Sequence, residues 1–169
     1  MTTRFTITRT VDARLDAVAG VLRDHECIEE RITVERAAQA RVHSLNGSRE
    51  TWQLVVYGTV PLAWMPSAAM GLVGPPLVRR EMWAVRREEL KERLEGKLRL
   101  EIIGAPVNCE ATLQVEPSGQ GCVITYDFEV TVYVLLLGPA MEQSVRDQVS
   151  PSVIAELDLL ARQAEDFAD

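Results

Sequence analysis

Four potential metal ligands stand in a row at Asp24-His25-Glu26-Cys27. Adjacent side chains point in different directions in a helix and in a strand, so these four cannot close together on one ion. The chain has one further histidine, His43, which lies far from this segment. We therefore predict a solvated polar turn, or a short second helix over residues 24–30, and neither a metal site nor a cofactor.

Motifs for covalent catalysis and for phosphate binding are absent from the sequence. No Gly-x-Ser-x-Gly elbow occurs, so a serine hydrolase has no nucleophile. The segments Gly71-Leu72-Val73-Gly74 and Gly119-Gln120-Gly121 lack the lysine and the spacing of phosphate-binding loops. We therefore predict no catalytic residue of these classes.

The three cysteines, Cys27, Cys109 and Cys122, form neither a CxxC pair nor an even-numbered framework. Alternation places Cys109 and Cys122 on paired strands, opposite about Phe128 and about Val115 respectively, which is too far apart for a disulfide. Unpaired thiols are typical of a reducing compartment. We expect core cysteines and a cytoplasmic location.

Charge excludes several classes of partner. The net charge is −7, which disfavours nucleic acid and anionic lipid headgroups. The longest apolar stretch, residues 130–140, is far shorter than the roughly 20 residues that span a bilayer.

A basic cluster lies between residues 79 and 89, where arginines are interleaved with glutamates. This pattern predicts a solvated sheet face rather than an anion site for the four arginines Arg79, Arg80, Arg86 and Arg87.

The strands must be recognised against a competing helical signal. Residues 86–93 are rich in helix formers, but Leu94, Leu98, Leu100 and Ile102 alternate with charged residues. A period of two indicates a half-buried strand, so we predict strands over 78–86 and 90–103. Further strands are predicted over 4–10, 32–44, 50–60, 107–115 and 124–132, with a hairpin turn at Asn46-Gly47. Asp12 is expected to cap the first helix.

The C-terminal segment carries apolar residues every three or four positions from Met141 to Phe167. This spacing predicts a long helix that covers the apolar face of the sheet. Pro151 interrupts the stripe, and it either kinks one helix or begins a second one behind Ser150 as N-cap. We favour the kink.

These features together resemble the START-like, or SRPBCC, superfamily with its helix-grip fold, and within it a bacterial family of unknown function. The resemblance rests on the following segments: 5–22, Met65-Pro66-Ser67, Gly71-Leu72-Val73-Gly74, Glu81-Met82-Trp83, Leu94-Glu95-Gly96, Gly104-Ala105-Pro106-Val107 and 141–160. It implies one α+β domain over residues 1–169, with a seven-stranded curved antiparallel sheet wrapped around the C-terminal helix. The element order is a strand, one or two helices, six strands and a helix.

The superfamily binds lipids, sterols, polyketides and other apolar molecules, and some members are cyclases or aromatases. We therefore expect an apolar small molecule or lipid in a cavity between sheet and C-terminal helix. The predicted lining consists of Trp52, Leu54, Trp64, Met70, Leu98, Leu100, Leu113, Ile124, Tyr126, Phe128, Val145 and Val149.

Two alternatives stay open. A cyclase or aromatase would need inward polar groups, for which Tyr126, Arg80 and Glu92 are the candidates. A protein-interaction module, or a weak homodimer, would use the apolar segment 61–77. That segment contains Trp64 and Met70 among four prolines, and it forms either a lid over the cavity or a plug inside the sheet.

Overall fold

A curved antiparallel sheet and a long C-terminal helix dominate the structure. The computed structural model describes residues 2–33, 39–60, 77–133 and 138–167. The strands are β1 (Thr2–Val11), β2 (Ala40–Gly47), β3 (Thr51–Thr59), β4 (Val78–Glu88), β5 (Arg93–Ile103), β6 (Val107–Ser118) and β7 (Gly121–Val132). The helices are α1 (Leu15–Arg23), α2 (His25–Ile32) and α3 (Gly138–Phe167), and a 3₁₀ turn covers Glu89–Lys91.

The described strands form one sheet in the order β1-β7-β6-β5-β4-β3-β2, and every neighbouring pair is antiparallel. Consecutive strands from β2 to β7 are therefore neighbours, and β1 closes onto β7. Helices α1 and α2 connect the two edge strands, and α3 lies across the inner face. This is the helix-grip fold, as predicted.

Alternation of the side chains gives the sheet one dry face. In β5 the pattern from Leu94 to Ile102 is buried at every second residue, and β6 and β7 repeat it. The period of two thus prevails over the helix propensity of residues 86–93, because burial of one face outweighs local preference. The main core cluster lies between this face and helices α1 and α3.

Several details differ from the sequence prediction. The strand predicted over 32–44 is wrong at its start: β2 begins at Ala40, because Ile32 still belongs to α2. Asp12 does not cap α1, which begins at Leu15 with Arg14 in the N-cap position. The first hairpin turns at residues 48–50 instead of Asn46-Gly47. There the Ser48 hydroxyl accepts hydrogen bonds from the backbone of the following residues, while Gly47 is still paired with Trp52.

Another difference is the register of the cysteines. Cys109 lies opposite Val130 and Cys122 opposite Pro117, each two residues from the predicted partner. The strands run closer to the Gly119-Gln120 turn than expected, so β6 and β7 are longer. Cys109 and Cys122 are buried, and all three cysteines are free.

Helix α3 runs through Pro151 without a break, so Ser150 does not cap a second helix. Proline has no N–H, and the carbonyl of Asp147 therefore lacks its hydrogen bond from that position. None of the described helices is both long and apolar enough to cross a membrane.

Candidate functional site

A cavity of about 70 Å³ lies beneath α3, between the helix and the inner face of the sheet. Strands β3, β4, β5 and β7 form its floor, and α1, α2 and α3 form its walls. The residues that line it are Leu22, Ile28, Arg31, Ile32, Trp52, Leu54, Glu81, Trp83, Val85, Leu98, Leu100, Tyr126, Phe128, Val149, Val153, Glu156, Leu157 and Leu160.

The cavity is small and mostly apolar. Its volume of about 70 Å³ exceeds the roughly 30 Å³ that a water molecule occupies in the liquid. It is well below the roughly 300 Å³ at which pockets for drug-sized ligands begin. As it stands, this space holds a group of a few atoms, and a larger molecule requires the walls to move.

An aromatic row runs along the sheet beside the cavity. Trp83 and Tyr126 meet edge to face at 5.9 Å between ring centroids, and Tyr126 stacks on Phe128 at 5.6 Å. Phe5 extends the row by stacking on Phe128 at 5.0 Å. Such contacts fix the ring planes, so the position of the Tyr126 hydroxyl at the cavity is defined by its neighbours.

One buried carboxylate, Glu81, and one half-buried carboxylate, Glu156, meet one buried guanidinium beside the cavity. Arg79 is only 1% exposed, and its Nη2 lies 2.8 Å from Oε1 of Glu81 and 3.1 Å from Oε1 of Glu156. The other oxygen of Glu81 accepts a hydrogen bond of 3.0 Å from Trp83 Nε1. Strand β4 and helix α3 are thus joined by an ion-paired cluster inside the fold.

A second buried guanidinium belongs to Arg31 on α2, which is 8% exposed. Its Nη1 donates to the carbonyl oxygen of Val21 at 3.0 Å and to Oε1 of Gln163 at 2.7 Å. Gln163 in turn donates from Nε2 to the carbonyl of Cys27 and to Glu30. These bonds hold α2 against α3 at one side of the cavity.

The protein interior shifts the proton affinities of these groups. Burial, together with the nearby Glu81 carboxylate, raises the pKa of Glu156 to about 7, and the Arg79 charge opposes this shift. Burial also raises the pKa of the Tyr126 phenol and lowers the pKa of Arg31. For Arg79 the two carboxylates outweigh burial, and its pKa rises.

The predicted lining residues fall into three groups in the structure. Trp52, Leu54, Leu98, Leu100, Tyr126, Phe128 and Val149 lie at the cavity. Leu113 and Ile124 are buried in the core but are not among the residues that line it. Trp64 and Met70 lie outside the described residues, and Val145 belongs to α3 with a side chain that is likewise outside the description. A role in ligand binding stays a prediction for all of them.

The prediction that the basic cluster lies on a solvated sheet face was wrong for Arg79. Arg79 points inward, not to the solvated face, because it shares the phase of Trp83 and Val85 along β4. Arg80, one residue later, pairs with Glu101 on the outer face, and Glu92 is exposed at the 3₁₀ turn. The two charged candidates for catalysis therefore lie away from the cavity.

Four charged residues at the site were missed as site residues, although each has a detectable signal. Arg79 and Glu81 keep the alternation of β4, and Glu156 falls on the apolar stripe of α3, three residues after Val153. Arg31 lies beside Ile32 and three residues after Ile28 on the buried face of α2. Each signal is a charged residue in the phase of buried neighbours.

The Asp24–Cys27 segment has a structural role. Asp24 is the N-cap of α2, and its side chain accepts a hydrogen bond of 2.9 Å from the backbone N–H of Cys27. Within the described ranges, no three His, Cys, Asp or Glu side chains gather as a metal site would require.

Comparison with known proteins gives the family. Residues 6–162 match the family described as "Protein of unknown function (DUF2505)", and the chain belongs to this family. No curated protein matches the chain. The fold is the helix-grip fold that the START-like resemblance predicted.

Solved structures share the fold at low identity. TTHA0849 from Thermus thermophilus has a TM-score of 0.64 and 12% identity, over 99% of this chain and 100% of that one. The Zhui aromatase/cyclase from Streptomyces sp. R1128 has a TM-score of 0.59 and 15% identity, over 98% and 94%. Ara h 8.0201 has a TM-score of 0.58 and 9% identity, over 98% and 99%.

The ion-paired cluster around Arg79 predicts that two neighbouring arginines, Arg79 and Arg80, contribute very differently to the free energy of unfolding. Arg79→Met leaves Glu81 and Glu156 without their buried counter-ion, so we expect a loss of about 3–5 kcal/mol in the free energy of unfolding. Arg80→Met is the matched control, because its ion pair with Glu101 is on the outer face and such pairs contribute about 0–1 kcal/mol. Urea unfolding measures both, and equal losses for the two variants would contradict the cluster.

The raised pKa of Glu156 predicts that the free energy of unfolding depends on pH. Its pKa rises from 4.5 when unfolded to about 7 when folded, so between these values only the folded protein holds the proton. The free energy of unfolding therefore falls as the pH rises through this window. We expect Glu156→Gln to lack this contribution, as measured by urea unfolding of both proteins at about pH 5 and about pH 8. Parallel stability profiles for the two proteins would show that Glu156 titrates normally.

Proposed function

We propose that this protein binds an apolar small molecule or lipid between the sheet and α3, as a carrier or sensor. The observation that carries the proposal is the cavity beneath α3, in which apolar walls surround a compact polar cluster. An inert core has no need of buried arginines and glutamates, because apolar residues of similar volume stabilise a fold as well or better. The described polar groups are thus best explained by recognition of a ligand.

Entry of a ligand requires the walls to move, and α3 offers the place. Val149 and Val153 line the cavity on either side of Pro151, where the helix lacks one backbone hydrogen bond. Bending at this point costs less than elsewhere in the helix. We infer that ligands enter beside Pro151.

The wider setting follows the same proposal. Free thiols at Cys27, Cys109 and Cys122 support a cytoplasmic location. We retain the single domain over residues 1–169 as a proposal, and also the weak homodimer through residues 61–77. The lid, plug and protein-interaction roles of that segment concern residues 61–76, which lie outside the described part of the chain.

Filling the cavity tests the proposal. Val153→Trp adds an indole to the cavity wall, whereas Ile154→Trp, the matched control, adds it to a side chain that is 48% exposed on the same helix. We expect the neutral fluorophore N-phenyl-1-naphthylamine to bind saturably to the wild type and to Ile154→Trp, and at least tenfold more weakly to Val153→Trp. Fluorescence titration measures this. Absence of saturable binding to the wild type, or unchanged binding to Val153→Trp, would contradict the proposal.

A second candidate is a cyclase-like enzyme, which one observation favours. Glu156 has a pKa of about 7 beside the Tyr126 phenol, and a carboxyl poised near neutral pH suits proton transfer. We expect such an enzyme to remove water from a linear poly-β-ketone, and Glu156→Gln to slow this about 100-fold or more. Mass spectrometry of the products measures the loss of water. Equal product formation with and without the wild-type protein would exclude this activity for the compound tested.

A further inference from the structure

Arg31 is a buried cation whose described partners are all neutral. Its bonds from Nη1 go to the Val21 carbonyl and the Gln163 amide. In the described part of the chain, no carboxylate oxygen lies within the 4.0 Å range of an ion pair with it. A guanidinium has five N–H donors and stays charged. Its remaining donors therefore lack an acceptor at the cavity that the side chain lines.

Tyr126 presents a second donor to the same cavity. Its ring is fixed by Trp83 and Phe128, and its hydroxyl has no hydrogen-bond partner among the residues described. The positive charge of Arg31 acts on this hydroxyl and favours its ionised form against the effect of burial. The two groups are therefore electrostatic neighbours that line one cavity.

The carboxylates of the site do not supply that acceptor. Glu81 and Glu156 both pair with Arg79, so two carboxyl groups and one guanidinium make one cluster while Arg31 stands apart. The titratable groups that face Glu156 are Arg79 and Glu81 on β4, Arg31 on α2 and Tyr126 on β7. When Glu156 is protonated, the site has two positive charges and one negative charge.

We propose that the ligand of this cavity is an apolar carboxylic acid, whose carboxylate accepts hydrogen bonds from the Arg31 guanidinium and the Tyr126 hydroxyl. This inference rests on the proposed function and names the chemical class of its ligand. A carboxylate matches the forked N–H geometry of a guanidinium and also provides the missing counter-ion. The enclosed volume of about 70 Å³ suits a head group, and the apolar body requires the wall of α3 to open.

Two compounds with the same octyl chain distinguish the contribution of the ligand's head group to binding from that of its apolar chain. Octanoate and 1-octanol have the same chain length, and we expect the wild type to bind octanoate about tenfold more tightly or better at about pH 6. Isothermal titration calorimetry measures both affinities. Equal binding of acid and alcohol would overturn the head-group inference and leave the proposed function standing. Binding of neither compound would overturn both.

Arginine variants locate the head group. We expect Arg31→Met to bind octanoate about tenfold more weakly while its affinity for 1-octanol is maintained, and Tyr126→Phe to show a smaller loss of the same kind. Arg99→Met is the matched control, since Arg99 pairs with Glu101 at an exposed position. An unchanged preference for the acid in Arg31→Met would overturn the assignment. If Arg31→Met does not fold, Arg31→Lys replaces it as the test, because lysine keeps the positive charge but lacks the forked N–H groups of a guanidinium. If Arg31→Lys keeps the full preference for octanoate over 1-octanol, bidentate recognition by Arg31 is contradicted.

The pH dependence gives a readout that a structural role of Arg31 would not produce. A bound anion favours the protonated form of Glu156, so octanoate binding takes up a proton and weakens as the pH rises above about 7. We expect Glu156→Gln to bind octanoate with the same affinity at about pH 6 and about pH 8.5. A wild-type affinity that does not change over this range would contradict the placement of the carboxylate beside Glu156.

Discussion

Charge buried between the sheet and α3 is the constraint on which the rest of this structure depends. Arg31, Glu81 and Glu156 line the cavity from three different elements, and Arg79 pairs with both glutamates beside it. Ions that leave water must find partners, or the fold loses several kcal/mol. Strand β4 and helices α2 and α3 are therefore held in one arrangement. Arg79 joins β4 to α3, and Gln163 joins α3 to Arg31 on α2.

Buried charge also distinguishes a binding site from an apolar core that is already filled. Apolar side chains fill most of the space beneath α3, and a core of this kind would be complete without charge. The arginine of α2 has only neutral oxygens as described partners, and the phenol beside it has none. An interior that keeps such donors unsatisfied is prepared for an acceptor from outside the chain. Pro151 weakens the helix at the cavity wall, which offers that acceptor a route.

Much of the fold could be predicted from the sequence, because burial of one face leaves a periodic pattern. The alternation from Leu94 to Ile102 identifies β5 despite a helical composition just before it, and the stripe from Met141 identifies α3. Turn positions were less predictable. The Ser48 hydroxyl and the length of β6 decide where the hairpins turn, and local hydrogen bonds of this kind leave little trace in a pattern of apolar residues.

The candidate site was predicted in its apolar part and missed in its charged part. Alternation correctly placed Leu98 and Tyr126 on the inner face. Arg79 was assigned to a solvated face by its type, and Arg80 was offered as an inward group instead. The position of each residue in the alternating pattern of β4 predicts its burial better than its type does. Arg79 is in phase with the buried residues of this strand, and Arg80 is not. Which carboxylate pairs with which arginine depends on the packing of α3 over the sheet, and no local pattern contains that information.

The proton affinity of Glu156 tests the buried cluster most directly. Carbon-13 NMR of the glutamate side-chain carboxyl groups, with Glu156→Gln as the assignment control, follows this residue through a pH titration. We predict that Glu156 titrates near pH 7 and that its titration moves to higher pH when octanoate is bound. Titration of Glu156 near its ordinary value of 4.5, with no change on addition of octanoate, would contradict this account of the site.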